Sequence, residues 1–194
     1  MTVRHAQTAQ LERPLPEEAR LVHQAKSGDR EAFARLYDAY VERVYRFIYF
    51  RISEDEATED LVSQVFLKAW ENLGRYRVGS SPFIAWLYTI ARNLVIDYYR
   101  AKKDVLPLEE AAALPSDMQS PDEEAQLHFD LQAMRDALQF LTGDQQQVLI
   151  LKFIAGLPND SIARIMNKRE GTIRGLQMRA LQILSKYLQE KDLI

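Results

Sequence analysis

The sequence predicts an all-α protein of two small helical domains joined by an acidic linker. Apolar residues recur at helical spacing on both sides of the middle of the chain. Between residues 104 and 130 the composition changes: eight Asp or Glu, no Lys or Arg, and three prolines. Such a stretch buries too little apolar surface to fold alone, so it separates two domains. We therefore expect a flexible tail at 1–16, a first domain at 17–104, a linker at 105–124 and a second domain at 125–194.

The composition limits the classes of function. The 194 residues are 47% hydrophobic and 27% charged, with a formal net charge of -3. This length suits one ordinary domain or two small ones. A protein that coats DNA by charge alone would be basic, so any DNA contact must be local. We find no apolar run that would span a bilayer and no signal peptide, and the polar start at 1–13 agrees.

Cysteine and histidine usage argues against metal chemistry. The chain has no Cys, which excludes disulfides and thiolate sites and fits a reducing cytoplasm. His5, His23 and His128 are scattered, so we expect no metal and no cofactor. We also find no glycine-rich phosphate loop and no convincing acid–base pair, so an enzyme is not expected.

The first domain begins with two helices. Residues 17–27 are predicted to form a short helix that Gly28 stops. Asp29 is predicted to cap a second helix. Its apolar stripe comprises Phe33, Leu36, Tyr37, Tyr40, Val44 and Phe47.

The segment 53–56 has the pattern of a capping box and is predicted to open a third helix. We interpret Glu54 to Glu56 as acids that complement the helix dipole. The buried stripe of this helix is predicted to comprise Val62, Phe66, Ala69, Trp70 and Leu73.

The stretch at 81–103 is the strongest functional signal. Ser81 is predicted to cap a helix with Pro82 at its first position. One predicted stripe faces the core and comprises Phe83, Leu87, Ile90, Leu94 and Tyr98. The other faces carry Trp86, Tyr88, Arg92, Asn93, Tyr99 and Arg100. From residue 68 to 103, seven basic residues face two acidic ones. Basic groups neutralise phosphates and rings stack on unpaired bases, which indicates a nucleic-acid surface. The alternative is an ordinary core stripe with a basic helix end.

The linker has two interpretations. The eight acids at 104–130 indicate either a solvated spacer or a segment whose charge mimics nucleic acid.

The second domain ends in a predicted helix-turn-helix. Before it, a helix at 127–140 carries a stripe of Leu127, Leu131, Met134, Leu138 and Leu141. Residues 142–145 open the next helix, whose apolar face includes Val148, Leu149, Leu151 and Phe153. Residues 156–181 then read as short helix, tight turn and longer helix. Ile162, Ala163 and Ile165 are predicted to pack on Ile173 and Leu176. Asn167 is predicted to adopt the left-handed turn conformation.

Three segments together carry a resemblance to a known family. Residues 86–100, Trp-Leu-Tyr-Thr-Ile-Ala-Arg-Asn-Leu-Val-Ile-Asp-Tyr-Tyr-Arg, resemble region two of bacterial sigma factors, specifically the extracytoplasmic-function group. Residues 60–70 are similar to the segment of that family that docks on the polymerase clamp. Gly171-Thr-Ile and Arg179-Ala resemble region four. The resemblance extends from about Leu21 to Leu188.

The resemblance implies three sets of site residues. The set that would recognise and melt the minus-ten element comprises Arg77, Ser80, Ser81, Phe83, Trp86, Asn93 and Arg100. The set that would read the minus-thirty-five element comprises Lys168, Arg169, Thr172, Arg174 and Gln177. The set that would bind polymerase comprises Asp60, Gln64, Phe66 and Lys68. Asp97 is expected to pair with Arg100 or Asn93 one turn away.

This chain departs from the family pattern in several places. Ser63-Gln64 stands where Gln-Glu is frequent, and Pro158 and Arg169 replace usual serines. Leu176 and Gln146 stand where Arg is frequent. The preferred promoter sequence therefore cannot be carried over from the family.

The function implied is that of a cytoplasmic sigma factor that brings core RNA polymerase to a subset of promoters. The expected partners are the polymerase clamp and flap, promoter DNA and an anti-sigma factor. The first alternative is an ordinary regulator that binds duplex DNA alone, in which residues 76–99 would be core. An enzyme is the second alternative.

Overall fold

A computed structural model describes residues 17–52, 54–79, 81–105 and 136–190, with backbone alone at 103–105 and 190. Every regular element in these ranges is helical, which confirms the all-α prediction. The predicted tail at 1–16 and nearly all of the predicted linker lie outside the described residues. No helix within the described ranges is long and apolar enough to cross a membrane.

Helices α1 to α4 follow one another in the first domain. Their bounds are α1 Glu18–Lys26, α2 Arg30–Ile52, α3 Asp55–Asn72 and α4 Phe83–Val105. A 3-10 turn at Leu73–Arg75 and a loop connect α3 to α4. The Asp29 carboxylate accepts a hydrogen bond from the Ala32 amide at 3.1 Å, which confirms the predicted cap of α2. Gly28, with φ +94°, allows the sharp turn between α1 and α2.

The core of the first domain is built mainly on α2, α3 and α4. Leu36, Val44, Phe47 and Leu87 are almost fully buried, as predicted from their spacing. Tyr37 is 38% exposed, although the sequence places it in the buried stripe of α2. Its ring packs on the Phe66 ring with centroids 4.6 Å apart, so it covers the core from outside.

Helix α4 differs from the prediction in its start and in one face. The helix begins at Phe83, one residue later than predicted, and the Pro82 carbonyl accepts the first helical hydrogen bonds. Tyr88, predicted on the outer faces, is 1% exposed and packs on Phe47 at 5.0 Å. Helical spacing alone does not show how wide the buried face is, and here three neighbouring helices widen it.

The start of α3 also differs from the prediction. Glu54, not Ser53, takes the N-cap position, and it makes no side-chain cap hydrogen bond. Ser53 itself lies outside the described residues. The Glu54 carboxylate instead accepts hydrogen bonds from Tyr98 at 2.8 Å and from Lys102. A hydrogen bond between residues that are 44 positions apart therefore takes the place of the expected capping hydrogen bond at the start of α3.

The second domain contains the predicted helix-turn-helix. Helix α5 Gly143–Leu149 continues into a π-helical segment at Ile150–Ile154, followed by α6 Asn159–Met166 and α7 Glu170–Glu190. Thr142 and Gln145 form a capping box at the start of α5, as predicted. Asn167 adopts φ 51° and ψ 48°, which confirms the left-handed turn between α6 and α7.

Burial in the second domain follows the prediction with one exception. Ile162 and Ile165 on α6 are buried, as are Ile173 and Leu176 on α7. Phe153 was predicted on the apolar face but is 55% exposed. The π-helical segment shifts the side-chain register by part of a turn, which a regular 3.6-residue period does not anticipate. Of the predicted stripe at 127–141, only Leu138 and Leu141 are described, and both are buried.

The two domains contact each other directly. Arg51, at the end of α2, donates a hydrogen bond from Nη1 to the Gly143 carbonyl at 3.0 Å. The buried apolar cluster is continuous from α1 to α7. The covalent linker is therefore not the only connection between the domains.

Candidate nucleic-acid interface

Three of the predicted minus-ten residues lie on one line along α4. Trp86, Asn93 and Arg100 are separated by seven residues each, close to two helical turns, so they share a face. The line is about 21 Å long at 1.5 Å per residue. Asn93 and Arg100 are exposed, and Trp86 is half-buried. An aromatic ring, an amide and a guanidinium in a row can stack on a base, bond a base edge and contact a phosphate.

The Trp86 ring is held by other aromatic rings. Its centroid lies 5.2 Å from that of Tyr76 and 5.5 Å from that of Phe83. Tyr76 is buried and donates a hydrogen bond from its hydroxyl to the Ser81 carbonyl at 2.6 Å. These contacts fix the inner edge of Trp86 and leave part of the ring in contact with solvent.

The loop before α4 carries the remaining predicted minus-ten residues. Arg77 is exposed and Ser81 is half-buried. Ser80 lies outside the described residues. Gly79 has φ +86°, a conformation that a side chain would strain.

Phe83 does not belong to the exposed surface. Its side chain has no solvent exposure and packs against the rings of Tyr40 at 5.8 Å and Tyr76 at 5.3 Å. The predicted role of Phe83 in direct DNA contact is therefore corrected to a role in the core. The physical reason is that the first turn of α4 points inward between α1 and α2.

Asp97 pairs with Arg100, as predicted. The Arg100 Nη1 lies 3.6 Å from Asp97 Oδ1, one turn away. Both side chains are more than 60% exposed, so the pair contributes little to stability. Arg100 can therefore exchange this carboxylate for a phosphate.

The pKa of Tyr76 is raised to about 12 by burial and by the nearby charge of Glu18. Its hydroxyl consequently stays protonated at neutral pH and keeps donating to Ser81. The loop is thus held by a hydrogen bond that does not titrate in the physiological range.

The predicted minus-thirty-five residues lie at the turn of the helix-turn-helix and along α7. Arg169 and Thr172 are exposed at the start of α7, where such motifs contact base edges. Arg174 is exposed and pairs with Glu170 at 3.2 Å. A major groove is wide enough to admit an α-helix such as α7.

Two more of this set, Gln177 and Lys168, also have partners within the second domain. Gln177 donates from Nε2 to Asn159 Oδ1 at 3.0 Å, which joins α7 to α6. The Lys168 ammonium lies 3.0 Å from the Asp144 carboxylate. DNA would have to compete with these bonds, or use atoms that they leave open.

The predicted polymerase-binding residues divide into surface and core. Asp60, Gln64 and Lys68 are exposed and recur every four residues, so they share a face of α3. Leu67, 58% exposed, adds an apolar group to the same region. Phe66 is 4% exposed and supports this helix from within the core, so it is corrected from a contact residue to a packing residue.

Sequence reasoning missed two residues that touch the loop from α1. Glu18 accepts a hydrogen bond from the Phe83 amide at 3.1 Å, and Lys26 donates to the Tyr76 carbonyl at 2.9 Å. Both partners are at least 50 residues away in the chain. No local pattern carries such contacts, and α1 reads only as a short charged helix.

The fold and these surfaces define a helical DNA-binding protein with two separate DNA-facing parts. One is a helix with a line of aromatic and polar groups, and the other is a helix-turn-helix. Comparisons with known proteins agree. The family model for "Sigma-70 region 2" matches residues 36–105, and the family model for "Sigma-70, region 4" matches residues 131–184.

Relatives that match more than 80% of this chain are also sigma factors. The chain is 37% identical over 172 residues to the ECF RNA polymerase sigma factor BldN of Streptomyces coelicolor, covering 88% of this chain and 65% of that relative. It is 30% identical over 166 residues to the ECF RNA polymerase sigma factor SigX of Bacillus subtilis, covering 82% and 84%. The chain thus spans slightly less than two thirds of BldN and most of SigX. It belongs to the extracytoplasmic-function group of the sigma-70 family.

Solved structures share the fold. The chain of CnrH, solved with the cytosolic domain of CnrY, aligns with a TM-score of 0.69 at 24% identity, covering 88% of this chain and 96% of that one. The sigma factor RpoE of Bartonella quintana, solved with the anti-sigma factor NepR, aligns with a TM-score of 0.64 at 27% identity, covering 81% and 96%.

Proposed function

We propose that this chain is a dissociable initiation subunit that associates with core RNA polymerase and directs it to specific promoters. The observation that carries the proposal is the order of the two family matches, region 2 at 36–105 and region 4 at 131–184. Each match contains one of the two DNA-facing surfaces described above. The chain itself performs no chemical step in this role.

The first domain, 17–104, melts the minus-ten element. A protein without a nucleotide energy source melts DNA only by binding the open strand better than the duplex. Each stacked base is worth about 1–3 kcal/mol, against about 1.4 kcal/mol for a base-pair step. A few contacts from the α4 line and its loop are therefore enough to favour local opening. The residues assigned to this task are Arg77, Ser80, Ser81, Trp86, Asn93 and Arg100.

The second domain, 125–194, reads the minus-thirty-five element through the start of α7. Exposed Arg169 and Thr172 support this assignment, and Lys168, Arg174 and Gln177 complete the predicted set. Neither surface needs high affinity alone, because polymerase spaces the two domains and makes the second contact intramolecular. The free chain is therefore expected to bind promoter DNA weakly.

Polymerase binds at least two faces of the chain. The face of α3 with Asp60, Gln64 and Lys68 suits the clamp, since it is exposed and mixes charge with the apolar Leu67. The second domain contacts the flap. The acidic linker at 105–124 follows the nucleic-acid path in the polymerase, where its negative charge has a matching surface.

An anti-sigma factor is a further proposed partner. The two aligned structures of CnrH and RpoE were each solved with another protein, named as an anti-sigma factor for RpoE. A regulator of this kind would act by covering the polymerase-binding or DNA-binding faces. Because polymerase and promoters are intracellular, we propose that the chain works in the cytoplasm.

The test is abortive transcription from a panel of promoter fragments, with core polymerase in the presence and absence of this chain. Transcripts that depend on the chain support the proposal. If the chain neither migrates with core polymerase nor starts transcripts, yet shifts duplex DNA alone, it is an ordinary helix-turn-helix regulator.

A further inference from the structure

Helix α1 bridges the two ends of the loop that precedes α4. At the loop entry, the Lys26 ammonium donates to the Tyr76 carbonyl at 2.9 Å. At the loop exit, the Glu18 carboxylate accepts from the Phe83 amide at 3.1 Å. Glu18 and Lys26 are eight residues apart on α1, about 12 Å along the helix. One rigid helix therefore holds both ends of the loop.

The Glu18 contact does more than close a turn. Phe83 is the first residue of α4, and its amide lacks an intrahelical partner. Glu18 supplies the acceptor, and its negative charge lies at the positive end of the helix dipole. The second carboxylate oxygen accepts from the Tyr40 hydroxyl of α2, which fixes the orientation of the group. Glu18 thus sets where α4 begins.

Contacts of Tyr76 also connect the start of the loop to its end and to the Trp86 ring. The Tyr76 hydroxyl donates to the Ser81 carbonyl at 2.6 Å, and the Tyr76 ring lies 5.2 Å from the Trp86 ring. A shift of Tyr76 would therefore move both the end of the loop and the inner edge of Trp86. Lys26 acts on the carbonyl of this residue.

Helix α1 lies outside the part of the chain that the family description explains. The region 2 match begins at residue 36, whereas α1 ends at Lys26. Glu17, which directly precedes α1, pairs with Arg35 of α2 at 3.2 Å. The helix is thus fixed to the domain on one side and to the loop on the other.

We infer that Glu18 and Lys26 are positioning residues for capture of an unpaired promoter base. They hold the loop between Tyr76 and Phe83, together with the Trp86 ring, in the conformation that receives a base of the non-template strand. Neither side chain needs to touch DNA. The inference rests on the proposed function, because it assumes that this loop takes up such a base.

The test measures binding of the holoenzyme to single-stranded oligonucleotides that carry the minus-ten sequence. Core polymerase is combined with the wild-type chain, Glu18→Ala, Lys26→Ala or the control His23→Ala, which removes an exposed side chain from the same helix. Each oligonucleotide is compared with versions that are abasic at one position. The ratio of the two dissociation constants reports how well each base is captured.

We expect Glu18→Ala and Lys26→Ala to weaken binding of the intact oligonucleotide about tenfold, a coupling in the usual range for residues that share a network. The loss should disappear on the oligonucleotide that is abasic at the captured position and persist at the others. Glu18→Gln keeps the acceptor for the Phe83 amide, so it should restore most of the capture. His23→Ala should behave as wild type. Binding to core polymerase should be the same for all variants.

Two results would overturn the inference. In the first, the variants lose affinity equally for every oligonucleotide, in proportion to a fall in melting temperature, which indicates a structural role alone. In the second, their capture ratios equal that of the wild type. A third result concerns the wild-type holoenzyme alone. If its dissociation constants for the intact and abasic oligonucleotides are equal at every position, no base is captured. The inference then fails together with the base capture that it assumes. The failure of the proposed function is thus seen separately, in the wild type.

Discussion

Aromatic residues of α4 divide into core and surface within a few positions. Phe83 and Tyr88 are buried, while Trp86 between them is half-buried. Stacking on a base needs an accessible ring face, so only Trp86 of these three can take part directly. Phe83 and Tyr88 matter because they hold the helix in place.

Trp86→Ala is expected to reduce promoter opening without loss of helix content. Removal of one stacked base contact costs about 1–3 kcal/mol, which lowers the open-complex equilibrium by about 5- to 150-fold. The measurement is 2-aminopurine fluorescence at the minus-ten element, with circular dichroism to monitor folding. Trp86→Phe keeps a ring and should retain most of the opening. An unchanged opening equilibrium in Trp86→Ala would contradict the assignment.

Phe83→Ala is expected to act on stability. Truncation of a fully buried Phe costs about 3–5 kcal/mol, and Phe83→Leu should cost much less because it fills most of the same space. Urea unfolding of both variants tests this. A stable Phe83→Ala protein that fails only in minus-ten recognition would show that the residue acts on DNA after all.

At the scale of elements, a polar contact joins the N-terminal end of α3 to the C-terminal part of α4. Glu54, before α3, binds Tyr98 and Lys102 on α4. The hydrogen bond from Lys102 lowers the pKa of the Glu54 carboxyl below its ordinary value of 4.5, and Tyr98 adds to this. The contact therefore ties the C-terminal part of α4 to the start of α3.

This contact should make part of the stability depend on acid. Because the folded-state pKa of Glu54 is depressed, its contribution is fully present above pH 4.5 and is lost as the pH falls through the folded-state pKa. The stability difference between wild type and Glu54→Gln should therefore shrink on acidification from neutral pH to about pH 3. Urea midpoints over this range measure it.

Lys102→Met provides the matched control. Without its main partner, the Glu54 carboxyl should lose most of the pKa depression, so the same comparison made in the Lys102→Met background should vary less with pH. Parallel curves for wild type and Glu54→Gln through the whole acid range would exclude the contact as a source of stability.

At the scale of the whole molecule, Arg51 makes the polar contact between the domains. Its guanidinium donates to Gly143, and burial lowers its pKa. Arg92 lies close enough to lower that pKa further, while the Nε atoms of both arginines are buried without a partner. The charges of Tyr99 and of Asp144, in the second domain, act against these two effects, so the Arg51 guanidinium still favours the closed junction.

The proposed function requires that this junction opens on a promoter. By their names the two elements are about 25 base pairs apart, or about 85 Å of straight duplex at 3.4 Å per step. A compact chain of this length has a radius of gyration of only about 16 Å. Domains in contact through Arg51 therefore cannot reach both elements at once. Polymerase binding has to separate them.

Energy transfer between two labels can follow this opening. Since the chain has no Cys, Glu71→Cys on α3 and Ser185→Cys on α7 give two unique labelling sites. Transfer should fall when core polymerase and promoter are added. Arg51→Ala removes a charged hydrogen bond worth about 1.5–3 kcal/mol, so the free chain should open at least tenfold more often.

Arg46→Ala, which removes a surface pair with Glu42 on the same helix, is the control and should leave transfer in the free chain unchanged. Equal transfer in wild type and Arg51→Ala, with no change on the promoter, would show that the junction does not open.

The sequence by itself determined the elements and most of their local signals. Spacing of apolar residues predicted the helices, and short polar motifs predicted the caps at Asp29 and Thr142 and the left-handed Asn167. These features succeed because each depends on contacts within about four residues. The family resemblance, drawn from the same residues, also predicted the family that the comparisons show.

Only the tertiary structure decided which side chains remain on the surface and which distant groups meet. Burial of Tyr88, exposure of Phe153 and the hydrogen bond of Glu18 to α4 all depend on neighbours far along the chain. The spacing of apolar residues predicts which face of a helix is buried, but not how many neighbouring helices pack on it. The loop before α4 is the clearest case, because its residues are visible in the sequence whereas its support comes from a helix that carries no motif.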